Sequence, residues 1–292
     1  MTEDIKFFQT DNLEAALELL AESSGVIKPV AGGTDLMVKI RENRKLLQEF
    51  AGILDITNIS ELQGIAEEQD FVRIGALVTH RDIIESELLQ EKYPALANAA
   101  RAIGSTPIRN RGTIGGNVCN AAACADTLGP LVAFEAEAVL ASQAGERVVP
   151  VADLVEKPYQ TIIRQDELLR YFRLPLPAEG FFSSFQKIGR RQAAAITRIS
   201  LVLAARVSQG TVEHIRIVPG SAIPVPEPLT ALEKRIKGKK LEEIDSTGLA
   251  ALAGEEMVKI TGERWSTPYK KPALATLVRR ALVELKEVAE NE

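Results

Sequence analysis

Two glycine-rich segments, far apart in the sequence, constrain the fold of this chain more than any other feature. Residues 31–36 read Ala-Gly-Gly-Thr-Asp-Leu, and residues 109–117 read Arg-Asn-Arg-Gly-Thr-Ile-Gly-Gly-Asn. Glycine has no Cβ, so the backbone can turn tightly at these positions and direct several N–H groups at one anion. Each segment also carries a threonine hydroxyl that can add a hydrogen bond. The pair predicts two loops that hold one diphosphate from two sides.

The spacing of the glycines excludes two better-known phosphate-binding motifs. The chain contains neither the Gly-x-Gly-x-x-Gly of Rossmann dinucleotide sites nor the Gly-Lys-Ser/Thr that ends a P-loop. Either segment taken alone is equally compatible with an ordinary tight turn. Two such segments, each with a threonine and a following aspartate, favour phosphate binding over turns alone.

Composition and charge exclude several other classes of protein. The chain has 292 residues, 46% of them hydrophobic, which is enough to fill the cores of two domains. The formal charge of −5 is spread without a long run of one sign, so nucleic acid is not expected as the main partner. No apolar run approaches the roughly 20 residues that span a bilayer, and the opening Thr2-Glu3-Asp4 is unlike a signal peptide. We therefore expect a cytoplasmic protein without membrane contact.

The few cysteines and histidines argue against a metal centre on this chain. Only Cys119 and Cys124 occur, whereas a ferredoxin-type iron–sulfur cluster requires four thiolates. The cysteines lack Cys-x-x-Cys spacing, and His80 and His214 lie far from them, so no metal site is predicted. We expect both cysteines to be small buried residues beside the second turn. Both histidines are expected at the surface or at strand ends.

Hydrophobic periodicity predicts a mixed chain with one clear linker. Apolar spacing of three and four residues predicts helices, and short apolar or alternating runs predict strands. The predicted helices are 13–20, 36–40, 94–103, 126–134, 229–236, 249–260 and 274–288, and the predicted strands are 27–30, 52–56, a short strand at Ile65, 71–74, 139–140, 148–149, 168–174, 182–187, 196–207 and 212–218. Residues 175–180 contain two prolines and a glycine, which is typical of a domain boundary. This predicts domains at 1–176, with subdomains of about 1–60 and 61–176, and at 177–292.

The glycine segments and several later motifs together resemble a known family. Residues 31–36 and 113–117 look like the paired FAD-binding motifs of the FAD-binding (medium) subunit of molybdenum hydroxylases, which include xanthine dehydrogenase and carbon monoxide dehydrogenase. The likeness covers essentially the whole chain and continues through residues 125–127, 166–169, 185–191, 220–222 and 269–271. The resemblance implies an α+β fold. A two-part FAD-binding domain of the PCMH/vanillyl-alcohol-oxidase type is followed by a C-terminal domain, of the carbon monoxide dehydrogenase flavoprotein type, with a small antiparallel sheet and helices.

The resemblance also implies which residues contact a non-covalently bound FAD. The implied cofactor-binding residues are Val30, Ala31, Gly32, Gly33, Thr34, Asp35, Leu36, Met37, Ile103, Thr113, Ile114, Gly115, Gly116, Asn117, Asp126, Leu169 and Lys187. Ile103 would lie against the flavin ring, and Asn117 and Asp126 would bind ribityl or ribose hydroxyls. Asp126 could instead cap the helix predicted at 126–134.

Lys187 is the side chain to which the resemblance assigns a catalytic role. An ammonium beside the N1–O2 edge of the flavin stabilises the negative charge that develops there on reduction, and so raises the reduction potential. The alternative interpretation is a solvated surface lysine beside Arg190 and Arg191. The Lys-x-Gly-Arg-Arg context of residues 187–191, which the family shares, favours the flavin contact.

By resemblance, the chain is an electron-transfer subunit of an oxidoreductase. It would receive electrons from a [2Fe–2S] small subunit and pass them to NAD⁺ or another acceptor. Substrate would react at a molybdopterin large subunit, in a dimer of heterotrimers, so the substrate pocket is not on this chain. Ala122-Ala123 and Ala195 depart from the usual family residues, Ser-Pro and Asp, and weaken the inference of one hydroxyl contact and of the acceptor.

Two other functions are compatible with the same motifs. One is a stand-alone FAD-dependent reductase or oxidase of similar fold, like the enolpyruvyl-glucosamine reductases. That function needs a catalytic acid near the flavin, and the sequence offers no obvious one. The other is a non-catalytic assembly protein that has lost FAD, against which the intact glycine segments, Asp126 and Lys187 argue.

Overall fold

The first subdomain is a small parallel sheet that delivers the first glycine segment. The computed structural model describes residues 5–191 and 195–289. The elements of this subdomain are β1 (Lys6–Gln9), α1 (Leu13–Glu22), β2 (Ile27–Val30), α2 (Leu36–Glu42) and β3 (Gly52–Asp55). The sheet has the order β1-β3-β2, with both pairs parallel. The predicted strand, glycine turn and helix are confirmed, and strand β1 was not predicted.

Helix α1 illustrates how a local signal sets a boundary. The Asn12 side chain accepts a hydrogen bond from the Ala15 N–H at 2.9 Å and so caps the helix. The buried stripe of Leu13, Ala16, Leu17 and Leu20 packs onto the sheet. The helix ends at Glu22, two residues beyond the predicted end, and the chain becomes extended at Ser23.

The second subdomain is a five-stranded antiparallel sheet in the order β4-β5-β10-β6-β7. Its strands are β4 (Ile65–Glu67), β5 (Phe71–Gly75), β6 (Glu137–Ser142), β7 (Gly145–Pro150) and β10 (Leu168–Pro175). The β4-β5 and β6-β7 hairpins contain the strands predicted at Ile65, 71–74, 139–140 and 148–149. Between β7 and β10 lie α9 (Val151–Leu154) and a two-stranded ribbon, β8 (Val155–Lys157) and β9 (Gln160–Thr161).

Six short helices connect β5 to β6 and carry the second glycine segment. They are α3 (His80–Glu85), α4 (Glu87–Lys92), α5 (Pro94–Arg101), α6 (Thr106–Arg109), α7 (Ile114–Asn120) and α8 (Leu128–Ala133). The second segment therefore ends in α7. The helix predicted at 126–134 begins at Leu128, and its preceding residue, Thr127, makes no side-chain cap. The capping interpretation of Asp126 is wrong, because its carboxylate binds side chains of the C-terminal domain instead.

The C-terminal domain is a three-stranded antiparallel sheet with helices on one face. Its elements are β11 (Phe181–Gly189), β12 (Thr197–Ser208), β13 (Thr211–Gly220), α10 (Thr230–Ile236), α11 (Ser246–Thr261) and α12 (Thr267–Ala289). Strands β10 and β11 lie on either side of the predicted linker. Gln209 and Gly210 take positive φ angles at the hairpin turn between β12 and β13. Helix α12 begins earlier than predicted, because its first turns carry polar residues and Pro272, which hide the apolar spacing.

Strand β12 is buried on both faces and joins the two domains into one packed body. Leu201 and Leu203 pack among the C-terminal helices. Val202 and Ala204, which alternate with them, belong to the core of the second subdomain. A strand covered on both sides needs a continuous apolar run instead of an alternating one, and residues 201–205 have that composition. The C-terminal sheet is therefore held firmly against the second subdomain.

Candidate functional site

A cleft of about 420 Å³ lies between the first and second subdomains. Its volume is within the usual range for small-molecule sites. It is lined by most of the residues proposed from the sequence: Val30, Ala31, Gly32, Gly33, Thr34, Asp35, Leu36, Ile103, Thr113, Gly115, Gly116, Asn117 and Leu169. Segments from four distant parts of the chain thus form one wall.

Four of the proposed residues lie outside the wall of the cleft. Met37 is exposed on α2, and Ile114 is fully buried in the core of the second subdomain. Asp126 is buried and Lys187 is nearly buried, and their side chains form an ion pair outside the lining of the cleft. The fold explains the first two cases, because neighbouring residues on a helix point in different directions.

The two glycine segments touch each other directly at Gly32. A Cβ at this position would lie 1.9 Å from the Arg111 carbonyl oxygen and 2.6 Å from its carbon. Gly115 is similarly close to Ala76, whose carbonyl oxygen would lie 2.6 Å from an added Cβ. Such distances leave no room for any side chain. The two glycines are therefore required where backbones meet, and Gly32 closes one subdomain onto the other.

The first glycine segment supplies free hydrogen-bond donors to the cleft. Among the residues that the structure describes, none accepts a hydrogen bond from the N–H groups of Gly32, Gly33 and Thr34. Gly33 has a φ of 69°, a conformation that glycine adopts without strain. Successive unpaired N–H groups in a turn form a binding site for an anion. The first segment therefore has the chemistry that a diphosphate requires.

The second glycine segment offers few free N–H groups to the cleft. The N–H groups of Ile114 and Gly115 donate to the carbonyls of Val78 and Ala76, each at 2.9 Å. The Gly116 N–H donates to the Thr113 hydroxyl oxygen at 3.0 Å, which caps α7. The expectation that both loops present several free N–H groups is therefore wrong for the second loop. Its glycines instead let the backbone approach the cleft closely.

A buried ion pair joins the two domains immediately behind the cleft. Lys187 Nζ lies 2.6 Å from Asp126 Oδ2, and the Thr197 hydroxyl donates to Asp126 Oδ1 at 2.6 Å. Burial raises the pKa of the Asp126 carboxyl, and the ammonium of Lys187 offsets part of this effect. Only 12% of the Lys187 side chain is exposed, so the solvated-surface interpretation of this lysine is wrong.

The same lysine reaches the wall of the cleft through the backbone of α5. Lys187 Nζ also donates to the Ala102 carbonyl at 2.9 Å. The next residue, Ile103, lines the cleft, and its carbonyl accepts a hydrogen bond from Arg109 at 3.0 Å. The turn that presents Ile103 is therefore held from two sides. Contact of Lys187 with a flavin stays a prediction.

His80 is a cleft residue that the sequence reasoning missed. It was expected at the surface, but it is only 2% exposed and lines the cleft at the first position of α3. Burial, with a smaller contribution from the charge of Arg109, lowers its pKa to about 4. Its Nδ1 atom has no partner within residues 5–191 and 195–289. The Thr79-x-x-Asp82 capping box could have placed His80 at a helix start, although not inside the fold.

We predict that His80 makes the apo protein less stable as the pH falls below neutrality. The unfolded chain binds a proton near pH 6.5, while the folded chain resists protonation until about pH 4. Stability contributed by neutral His80 is therefore present above pH 6.5 and declines toward pH 4. With about 1.4 kcal/mol for each pKa unit, the loss reaches at most about 3.5 kcal/mol. Urea unfolding at pH 7 and pH 5 measures it.

The matched comparison uses the only other histidine. His214 lies within β13 with 39% of its side chain exposed and 3.7 Å from Glu135, which agrees with the expected surface position and not with a strand end. His80→Gln should remove most of the decline in unfolding free energy between pH 7 and pH 5, whereas His214→Gln should leave most of it. Equal pH dependence in wild type and His80→Gln would show that His80 does not control it.

The two cysteines differ in their exposure to solvent. Cys119 on α7 lines the cleft and is exposed, so the expectation that both cysteines are buried is wrong for it. Cys124 is half-buried.

Glu167 is buried and accepts hydrogen bonds from Arg147 at 2.6 and 2.8 Å. This pair fixes the segment that leads to Leu169 at the cleft.

Two classes of feature are lacking in the part of the chain that the structure covers. None of its helices is both long and apolar enough to cross a membrane. Within the same residues, no three His, Cys, Asp or Glu side chains are placed to share a metal ion.

Comparison with known proteins matches both halves of the chain. A family model described as "FAD binding domain in molybdopterin dehydrogenase" matches residues 3–177. A second, described as "CO dehydrogenase flavoprotein C-terminal domain", matches residues 183–285. The glyceraldehyde dehydrogenase medium chain of Sulfolobus acidocaldarius is 28% identical over 97% of this chain and 98% of its own length. The carbon monoxide dehydrogenase medium chain of Hydrogenophaga pseudoflava is 32% identical over 91% and 92%.

Solved structures give the same result for the fold. A chain of carbon monoxide dehydrogenase from Hydrogenophaga pseudoflava, in a form that lacks the Mo-pyranopterin moiety of the molybdenum cofactor, superposes with a TM-score of 0.87. The two chains are 28% identical, and the match covers 97% of each. The α+β fold and the family resemblance predicted from the sequence are confirmed.

Proposed function

Since the chain belongs to the family of FAD-binding medium subunits of molybdenum hydroxylases, we propose that it holds one FAD non-covalently in the cleft and transfers electrons. The observation that carries this proposal is the first glycine segment, where Gly32, Gly33 and Thr34 offer unpaired N–H groups at the point where the subdomains meet. A diphosphate is the part of FAD that these donors fit. Bound FAD would supply one- and two-electron redox chemistry.

We assign the isoalloxazine ring and the ribityl and ribose hydroxyls to cleft residues whose side chains suit them chemically. Ile103 offers an apolar surface for the isoalloxazine ring, and the Asn117 side chain can bind a ribityl or ribose hydroxyl. Lys187 would act from behind Ile103, where its positive charge favours an anion in the cleft. Asp126 holds this ammonium in place. Its own contact with the cofactor, inferred from the resemblance, would require this ion pair to rearrange.

We further propose that electrons reach this chain from a [2Fe–2S] small subunit and leave to NAD⁺. A molybdopterin large subunit would carry out the substrate chemistry, in a dimer of heterotrimers. Two cysteines are too few for an iron–sulfur cluster on this chain, which is consistent with a separate cluster subunit. The names of the relatives, medium chains of dehydrogenases acting on different substrates, support a subunit of this kind.

The isolated chain tests the proposal directly. We expect the purified apo protein to bind about one FAD per chain in a visible-absorbance titration. The loaded chain should oxidise NADH slowly with an artificial acceptor, and it should hydroxylate no aldehyde or N-heterocycle. Failure to bind added FAD would exclude the cofactor proposal. Hydroxylation by the chain free of molybdenum and iron would contradict the subunit proposal.

A further inference from the structure

Three side chains from three separate elements meet at one end of the cleft. They are Lys39 on α2, Asn120 at the end of α7 and Tyr159 in the turn between β8 and β9, and all three line the cleft. Lys39 Nζ lies 2.7 Å from Asn120 Oδ1 and 4.8 Å from the centre of the Tyr159 ring. The sequence reasoning assigned a role to none of them. We call this group the tyrosine platform.

The backbone at Tyr159 is held in a conformation that its residue type disfavours. Its φ is +65°, which is uncommon for a bulky residue and is maintained only where the surrounding structure enforces it. The Tyr159 N–H donates to the Ala121 carbonyl at 2.8 Å, and Lys157 pairs with Gln160 across the turn. The ring nevertheless remains 63% exposed. An aromatic surface is thus presented at the cleft, with one face against an ammonium and much of the rest open.

Helix α7 separates this platform from the end of the cleft that holds Ile103. Ile103 and Ile108 precede the second glycine segment, at the N-terminal end of α7, whereas Tyr159 binds the residue after its C-terminal end. A helix of seven residues is about 10 Å long. The two glycine segments meet at the N-terminal end of α7, where Gly32 approaches Arg111. A dinucleotide whose diphosphate binds there would place one ring system near Ile103 and extend the other along α7 toward the platform.

We propose that the tyrosine platform stacks on the adenine of the dinucleotide and thereby selects FAD over FMN. The inference rests on the proposed function, and it adds the residue that recognises the half of the cofactor farthest from the flavin. Adenine presents a flat π face, and aromatic side chains are the usual stacking partners of bases. Lys39 holds the ring in place through a cation–π contact and is itself oriented by Asn120.

Ligands that contain only part of FAD make the test specific. FMN has the flavin and one phosphate but no adenine, and ADP has adenine and the diphosphate but no flavin. Tyr159→Leu in the full-length apo chain should weaken FAD binding by about 5- to 150-fold, the range that loss of one base–aromatic stack produces. Competition by ADP should weaken in parallel, while FMN affinity should not change. Flavin fluorescence quenching gives all three dissociation constants.

Two matched variants control for side effects of the substitution. Tyr159→Phe keeps the ring and should bind FAD like the wild type. Tyr269→Leu removes another exposed tyrosine with the same kind of contact, since Arg198 lies 5.5 Å from its ring centre. Tyr269 is not among the residues that line the cleft, so FAD affinity should be unchanged.

The outcomes separate this inference from the proposed function. If Tyr159→Leu binds FAD as tightly as the wild type, the platform does not carry adenine. Equal losses for FAD and FMN would also overturn the inference, because they would show that Tyr159 only supports the shape of the cleft. If the wild-type chain binds neither FAD nor FMN, the proposed function itself fails and the inference fails with it.

Discussion

Substitution of Gly32 by alanine is expected to abolish FAD binding. The added Cβ would lie 1.9 Å from the Arg111 carbonyl oxygen. A Cβ is fixed by its own backbone and the carbonyl oxygen is a backbone atom, so neither can rotate out of the clash. The two glycine segments must therefore separate, which displaces the unpaired N–H groups of residues 32–34 from their positions in the cleft. Loss of several hydrogen bonds to a charged group, each worth about 1.5–3 kcal/mol, lowers affinity by at least about 100-fold. Absorbance titration of the apo variant with FAD measures the loss.

Gly116 provides the matched comparison. Its Cβ would meet only the Thr113 hydroxyl oxygen, at 2.9 Å, so the contact between the two segments can survive. Gly116→Val should abolish FAD binding by filling the cleft, and it should lower the midpoint of thermal unfolding of the apo protein less than Gly32→Ala does, because it displaces only the Thr113 hydroxyl that caps α7. Gly32→Ala should lower both. Wild-type FAD affinity in Gly32→Ala would mean that the contact between the segments is not needed.

Substitution of Lys187 by methionine is expected to destabilise the apo protein by about 3–5 kcal/mol. The change leaves Asp126, whose carboxyl is buried, without the ammonium that lies 2.6 Å away. Removing one partner of a buried pair is far more harmful than removing both, because a charge then remains without compensation. The pKa of Asp126, already raised by burial, should rise further. Urea unfolding gives the free energy directly.

The double variant Asp126→Asn/Lys187→Met distinguishes stability from redox tuning. It should recover much of the lost stability, since no buried charge remains. If the Lys187 ammonium also favours the reduced flavin, the midpoint potential of the FAD-loaded Lys187→Met protein should fall by a few tens of millivolts. A net loss on the order of 1–2 kcal/mol corresponds to about 20–45 mV for a two-electron couple. An unchanged potential in the fully loaded variant would limit Lys187 to holding the domains together.

Features encoded by adjacent residues could be predicted from the sequence. The strand, glycine turn and helix at residues 27–42, the β6-β7 hairpin and the long β12 strand all carry their signals locally. Thirteen of the cofactor residues that the family resemblance implies line one cleft, whereas the residues alone pointed only to the two glycine segments. Strand β1 gave no signal, because its four residues are mostly exposed and lack an apolar run.

Features that depend on distant partners could not be predicted in the same way. Asp126 is 61 residues from Lys187, and nothing near it in the sequence indicates that its carboxylate binds an ammonium instead of a helix start. The burial of His80 depends on the packing of the second glycine segment against α3. Tyr159 lies in a short polar ribbon whose importance appears only when the ribbon is placed beside α2 and α7.

The double-sided burial of β12 has a consequence for how this chain responds to other proteins. Its neighbour β11 carries Lys187, which binds the Ala102 carbonyl, and the next residue in the chain, Ile103, forms part of the cleft wall. Because close-packed interiors transmit strain, a sheet packed on both faces cannot shift without displacing the residues it contacts. A protein that docks on the outer helices and displaces this sheet would therefore change the surroundings of the cofactor without touching it. The reduction potential of the bound flavin would then differ between the free and the assembled chain.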